Sequence, residues 1–516
     1  MHGAIAAGSD ATADAGAEIL RAGGNAVDAA VGACFAVAAA EPTLTSLGGS
    51  GVLIYRSGET GEAQVCDFFS NAPGLGGRRP DALDFHAVDV DFGPAVQEFH
   101  IGAGSAAVPG AIPGFCTALE RWGRLPLSRV IEPACRLLRE GVELGTWGAR
   151  AVAVLEPILL ATESGRLQFA PEGHLIRAGD RYRLPVLADT LEAMASHAGG
   201  WNDYYLDVIG ERMVRQSGPA AGGWVSAEDL AEFNVEVRRP LEGSYHDRAI
   251  YLNPPPAFGG RMVALMLRLL ESTEVAPEGS VEQLHALCRA MQVADEARGA
   301  GDDGLAERRY PEWVRRFAAR ADAPLTPAPP PPGGPGSTTH VSVIDEEGNA
   351  ASVTFSYGEG NGIIIEGTGI MMNNLLGEED LFPEGFHCWT TGVRLSTMMC
   401  PMLMVSPAGD VTVMGTGGAN RIRSALLQVI SNLVDQRMPV ERAVRAPRVH
   451  YEAGVLNAEV FDRDDAGATA ELGARERITF DEPNLFFGGV HLVRRTADGT
   501  LEGAGDIRRG GACRVV

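Results

Sequence analysis

Ser337-Thr338-Thr339-His340 stands where a proline- and glycine-rich stretch gives way to an apolar, β-type run. From Ala323 the chain reads Pro-Leu-Thr-Pro-Ala-Pro-Pro-Pro-Pro-Gly-Gly-Pro-Gly, a composition that cannot form helix or donate to a sheet. Residues 323–337 are therefore expected to form a flexible linker that presents a hydroxyl beside an exposed peptide bond. If the Thr338 hydroxyl attacks the Ser337 carbonyl, the amide becomes an ester, and water opening that ester leaves Thr338 with a free α-amino group. Such an amine titrates at about 7.7–8.0, close to what a general base needs near neutrality. Nucleophile and base would then reside on one residue. Taken alone, the same residues read first as the plain start of a strand after a linker.

The rest of the composition narrows the chemistry. All 43 basic residues are arginine, because the chain contains no lysine. Schiff-base lysines, phosphate-loop lysines and Ser-Lys dyads are thereby excluded. Cys34, Cys66, Cys116, Cys135, Cys288, Cys388, Cys400 and Cys513 are scattered, with no C-x-x-C pair and no clustering with histidine. They read as buried free thiols in a reducing compartment, not as a disulfide framework or a zinc site. Neither a metal nor a cofactor is expected. The formal charge of −24 disfavours nucleic acid and anionic membranes as partners and selects no substrate by itself; a small-molecule substrate is expected instead from the ordered motifs along the chain. The apolar run Ala29 to Ala40 falls short of the ~18–20 residues of a membrane span. The first ten residues lack the charged region of a signal peptide, so a cytoplasmic location is expected.

The chain has 516 residues, 45% of them hydrophobic, which is ample for a large core. Helices are expected over Ala11 to Arg21 and Ala26 to about Ala40, broken by Gly23-Gly24-Asn25 and stopped by Glu41-Pro42. Val52 to Tyr55 reads as a buried strand. The stretch from about Gly110 to Arg320 reads mostly as amphipathic helix, for example Ala118 to Trp122, Leu127 to Glu140 and Arg261 to Leu270. Beyond the linker, His340 to Ile344, Ala350 to Phe355, Gly362 to Glu366, Met398 to Val405 and Val411 to Met414 are β-type runs. A helix over Arg423 to Gln436 follows. Strands with flanking helices, interrupted by one linker, predict a layered α/β sandwich.

Ordered along the chain are motifs that resemble γ-glutamyltranspeptidase. They begin with Gly23 through Ala30, Glu41-Pro42 and Leu47 through Gly51. Val108-Pro109-Gly110, Gly114-Phe115, Pro254-Pro255-Pro256 and Gly259-Gly260 follow. Thr338-Thr339-His340 then runs through Asp345, Gly348-Asn349 and Thr354 to Gly367 through Ile370 and Asn373-Asn374. Leu395-Ser396, Pro401, Gly415 through Gly418, Ala446-Pro447-Arg448 and Asp506 through Gly511 complete the series. The resemblance implies a four-layer αββα sandwich of the N-terminal nucleophile hydrolase type, made as one precursor. It also implies self-cleavage between Ser337 and Thr338 into a large subunit, 1–337, and a small catalytic subunit, 338–516, that stay together as one globular unit. Carried over by position, Thr338 is the nucleophile and its amine the base, with Thr339 following it as in the family. Ser356 supports the nucleophile. Gly417 and Gly418 stabilise the oxyanion through their backbone N–H groups, and Ser396 and Thr397 bind the substrate's α-carboxylate.

Three positions depart from the family pattern. In Asp67-Phe68-Phe69-Ser70-Asn71-Ala72-Pro73, Phe69 stands where the arginine for the glutamyl carboxylate is expected. The asparagine expected after the supporting hydroxyl falls on Gly358. The acid for the substrate α-amine falls on Glu378, or on Glu379 if the register slips by one. The hydrolytic machinery is thus retained while glutamyl recognition is altered, with Arg394 as an arginine that could reach in from elsewhere. The expected activity is acyl-enzyme hydrolysis or transfer on a γ-glutamyl-like or modified acyl amide. The alternatives are a carbon–carbon hydrolase acting on a keto acid side chain, as in alkylproline-type antibiotic pathways, and an unprocessed scaffold.

Overall fold

The computed structural model describes residues 2–91, 96–320, 325, 337–382, 385–460, 467–470 and 472–516. Of the expected linker, only Leu325 and Ser337 belong to this set; the remainder lies outside the described residues. Two antiparallel sheets form the centre. In the seven-stranded sheet the order is Ala512–Val515, Gly3–Ala7, Thr339–Asp345, Ala350–Ser356, Ser50–Arg56, Ala63–Phe68 and Glu236–Arg238. The six-stranded sheet runs Leu501–Ala504, His491–Arg495, Val411–Gly415, Met402–Val405, Arg248–Leu252 and Leu241–Tyr245.

Side chains that alternate along the strands decide how the sheets stack. Ala4, Ala6, Val52, Ile54 and Ile344 of the first sheet meet Leu403, Val411, Val413 and Val493 of the second in one buried layer. The opposite face of the first sheet packs on helices that include Asp10–Arg21 and Ala26–Ala40. The outer face of the second sheet packs on Phe258–Leu270, Val281–Gly299 and Arg421–Val434. The result is the αββα sandwich. Strands from before and after the Ser337–Thr338 bond are interleaved in the first sheet and share the second. Full burial of each Val, Leu or Ile contributes about 1.5–3 kcal/mol, so the common layer strongly opposes separation of the two parts.

Local chemistry explains the elements nearest the site. Asn25 caps Ala26–Ala40 reciprocally with Asp28, accepting from the Val27 and Asp28 N–H groups while Asp28 accepts from the Asn25 N–H. This helix is apolar on every face because it lies between other helices and the sheet, and only Ala40 of its residues is not buried. Its end delivers Glu41 into the interior.

The expected elements are present with shifted bounds, and some differ in kind. Leu127–Val130 and Glu132–Glu140 are two helices, not one. Gly362 to Glu366 contains only the two-residue strand Ile364–Ile365, and Met398 to Val405 pairs only over Met402–Val405, because Met398 and Met399 turn into a cleft. The hairpin Leu241–Tyr245 and Arg248–Leu252, in the stretch read mostly as helix, builds the edge of the second sheet. Its five-residue strands offer too few residues for the period-2 alternation to stand out. All eight cysteines are free and six are buried, whereas Cys388 is exposed and Cys513 half-buried. Among the described residues, no helix is long and apolar enough to cross a membrane.

Candidate active site

Strand register brings the first chemical pair together. Thr339 pairs with Phe355, so Thr338 stands opposite Ser356 at the end of the neighbouring strand. The Ser356 hydroxyl donates to the Ser337 carbonyl oxygen, the atom on which charge would develop under attack by Thr338. The Ser356 oxygen in turn accepts the Gly358 N–H at 3.0 Å. On the far side, Arg509 Nη1 donates to the Thr338 carbonyl at 3.1 Å.

Gly417 lies flush against that carbonyl: a Cβ there would come within 2.0 Å of the Thr338 oxygen, so glycine is required. Gly418 has φ +123°, in the region that favours glycine. Among the described residues neither N–H donates to a backbone carbonyl. Arg509 follows a buried ionic network in which Asp506 takes Arg448 Nη2 at 2.5 Å and Arg508 Nη1 at 3.2 Å. Despite burial, these two arginines hold the Asp506 carboxyl below its usual range.

Two buried carboxyl groups flank the threonines. Glu41 accepts the Thr339 hydroxyl at 2.6 Å and the Thr12 hydroxyl at 2.6 Å, which orients Thr339 away from the cleft. Burial raises its pKa, opposed by those hydroxyls and by Arg509. Glu359 accepts the Ser337 N–H with both oxygens, at 3.0 and 3.1 Å. Burial pushes it up to about 7, against the Ser337 hydrogen bonds and the charges of Arg509 and Arg421. His340 is fully buried, with its ring nitrogens engaged by Thr354 at 2.7 Å and Ser342 at 2.8 Å. Burial drives its pKa well below normal, and its ring nitrogens are turned to Thr354 and Ser342 between the sheets, not to Thr338.

The cleft at Thr338 has an apolar wall of Phe69, Phe258, Leu375, Leu381, Met398, Met399 and Ile422, with Glu378, Arg298, Thr397 and Asn420 as polar members. Phe382, Trp224 and Trp389 belong to the aromatic cluster packed around Phe69, Leu375 and Met399. Phe69 is buried and lines the cleft at the position where the resemblance expected arginine. Arg394 does not line it: its guanidinium donates to the Phe69 carbonyl and, at 2.6 Å, to the Asn234 carbonyl, and lies 3.6 Å from Asp67. Gly358 has φ +69°, and a Cβ on it would meet Asn374 Oδ1 at 2.1 Å and Glu378 Oε1 at 2.4 Å. Those two side chains occupy the room an asparagine would need. Glu378 lines the cleft, whereas Glu379 is exposed. Thr397 Oγ1 accepts the Met399 N–H at 3.2 Å, and Ser396 Oγ is buried with no hydrogen-bond partner among the described residues.

Thr338, Ser356, Phe69, Glu378 and Thr397 thus share one cleft, with Gly358 and Gly417 packed against its residues; Gly418 lies against Gly488 and Arg509, and Thr339 points instead to Glu41. Sequence reasoning missed the roles of Glu41, Glu359 and Arg509. The signal available for Glu359 was an acidic residue inside the glycine-rich run Gly358-Glu359-Gly360.

A four-layer αββα sandwich with a hydroxyl residue opening a central strand at the cleft defines the N-terminal nucleophile hydrolase class of fold. The family model for gamma-glutamyltranspeptidase matches residues 12–516, and the chain belongs to the γ-glutamyltranspeptidase family, whose members are hydrolases and acyltransferases. It is 32% identical to the Acylase ACY 1 proenzyme of Pseudomonas sp. (strain V22), over 96% of this chain and 90% of that protein. It is 29% identical to the glutathione hydrolase proenzyme of Escherichia coli (strain K12), over 98% of this chain and 90% of that one. The fold superposes on cephalosporin acylase from Bacillus halodurans with a TM-score of 0.82 at 22% identity, covering 99% and 95% of the two chains.

Proposed function

We propose that this enzyme is a self-processing threonine hydrolase that cleaves itself between Ser337 and Thr338 and then uses Thr338 as nucleophile and its freed amine as base. The observation that carries the reading is the Ser356 hydroxyl donating to the Ser337 carbonyl beside Thr338, at the head of the cleft. The two products, 1–337 and 338–516, stay associated through their interleaved strands. Turnover forms an ester between Thr338 and the substrate's acyl group, with Gly417 and Gly418 facing the oxyanion, and water releases the acid.

The acyl group is bulky and less charged at its recognised end than a γ-glutamyl group, because Phe69 replaces a cation and Arg394 is committed elsewhere. Ser396 and Thr397 contribute hydroxyls to its polar end. Carbon–carbon hydrolysis of a keto acid by the same nucleophile is the second reading, favoured by the same apolar wall. The eight free cysteines support the cytoplasm as its compartment.

Intact-mass analysis and N-terminal sequencing test the first step: two chains are expected, the smaller beginning Thr-Thr-His. A single chain that is active rejects it. Kinetics on aliphatic and aromatic acyl amides, γ-glutamyl anilides and β-diketo acids test the second. Preference for γ-glutamyl anilides rejects the apolar assignment, and preference for the diketo acids selects the carbon–carbon reading.

A further inference from the structure

We propose that Glu359 is the positioning residue of self-cleavage, its carboxylate holding Ser337 so that the Ser337 carbonyl is presented to the Thr338 hydroxyl. The proposal rests on the reading above that this peptide bond is the one cut. One short loop, from Ser356 to Glu359, grips both ends of Ser337. Ser356 holds its carbonyl oxygen, and Glu359 takes its N–H with two oxygens, at 3.0 and 3.1 Å.

The loop itself is fixed. The Glu359 N–H donates to Asn374 Oδ1 at 2.7 Å, the Asn374 N–H donates to the Tyr357 carbonyl at 3.1 Å, and Gly358 is wedged against Asn374 and Glu378. Glu359 is 1% exposed, so no bulk water competes for Ser337. Holding a reacting peptide at both ends turns the attack into a pre-oriented, unimolecular step. In that step the bond from Thr338 Oγ1 to the Ser337 carbonyl carbon forms and the bond from that carbon to the Thr338 nitrogen breaks. The hydroxyl proton ends on that nitrogen. Water then adds hydroxide to the acyl carbon and returns a proton to Oγ1, leaving Ser337 as a carboxylic acid, which gives its proton to solvent or to the amine freed on Thr338.

Only ionised Glu359 offers two full acceptors to Ser337, and burial has raised its titration to about 7. The charged and titratable groups that face it are Arg509, Arg421 and Tyr357. Burial lowers Arg509 only to about 10 and holds the Tyr357 phenol well above its usual range, so neither titrates near neutrality. Glu41 is the other buried carboxyl of the site, and a Glu359 variant separates the two.

The test uses the full-length chain made by cell-free translation in a short labelled pulse and then shifted between about pH 6 and 8, with cleavage followed on gels. The wild-type rate is expected to rise at least about fivefold over that range. Glu359→Gln should cleave at least about tenfold more slowly at the upper end and lose the pH dependence, whereas Glu359→Asp should retain it with a shifted inflection. A Glu359→Gln chain that cleaves at the wild-type rate with the wild-type pH dependence overturns the proposal. If that variant does not fold, a wild-type rate independent of pH over the same range overturns it. Failure of the underlying reading looks different: the wild-type chain stays whole, or Thr338→Ala is cut.

Discussion

On one side of the cleft, Thr338, Ser356, Glu359 and Arg509 form a dry polar cluster in which hydroxyls, a carboxylate and a guanidinium meet the backbone groups of two residues, Ser337 and Thr338. On the other, Phe69, Phe258, Leu375, Leu381, Met398 and Met399 offer little but shape and dispersion. The polar side is tied to strand register, since Thr338 and Ser356 are opposed by the pairing of Thr339–Asp345 with Ala350–Ser356. Much of the apolar side comes from the loops around Phe69, Leu375 to Leu381 and Met398, which lie outside the strands. On the proposed mechanism, the difference assigns bond cleavage to residues fixed by strand register and substrate choice to loops that can change without moving them.

The sharpest break of this comparison is Thr338→Ala, which should remain a single chain of 516 residues without measurable turnover. Intact mass and a progress curve check both; processing in this variant would remove Thr338 from the polar side altogether. Next is Ser356→Ala, which withdraws the donor on the Ser337 carbonyl. By analogy with loss of one oxyanion donor, self-cleavage should slow by about 10²–10³-fold, with Ser356→Thr restoring most of the rate. A timed gel series measures it, and a normal rate in the alanine variant would show that the hydrogen bond is incidental.

The apolar side is tested by Phe69→Arg. A charge-assisted pair with a buried carboxylate is worth about 2–5 kcal/mol, or roughly 30- to 5,000-fold, when its geometry is met. The parent enzyme should be poor on γ-glutamyl-p-nitroanilide, and the variant should raise kcat/KM by at least about tenfold, because its new guanidinium is not pre-organised. A parent as competent as a transpeptidase would erase the contrast between the two sides.

The smallest expected effect is the pH response of the mature enzyme. On the proposed mechanism the unprotonated α-amine of Thr338 is the base, so kcat/KM should rise with pH through an apparent pKa of about 7–8 and fall about tenfold per unit below it. A rate profile flat from about pH 5 to 9, with chemistry limiting, would contradict the assignment.

Composition and spacing sufficed for the α/β class and for most of the helices, and the ordered motifs for the family. These features are written into neighbouring residues: caps, apolar periods and turn formers act over a few positions. The edge hairpin at Leu241–Leu252 escaped because its alternation is too short to exceed the helical pattern around it. Only the tertiary structure decided that Glu41 would hold Thr339 across 298 positions, that Arg509 would reach Thr338 across 171, and that Arg394 would turn to Asp67 and Asn234 instead of the cleft. It also placed Glu378 in the cleft wall and left Glu379 exposed, a difference that local sequence does not show. The physical reason is that a buried charge takes whichever partner packing brings within hydrogen-bond reach, and that choice depends on how two sheets and their helices stack, not on the residues beside it.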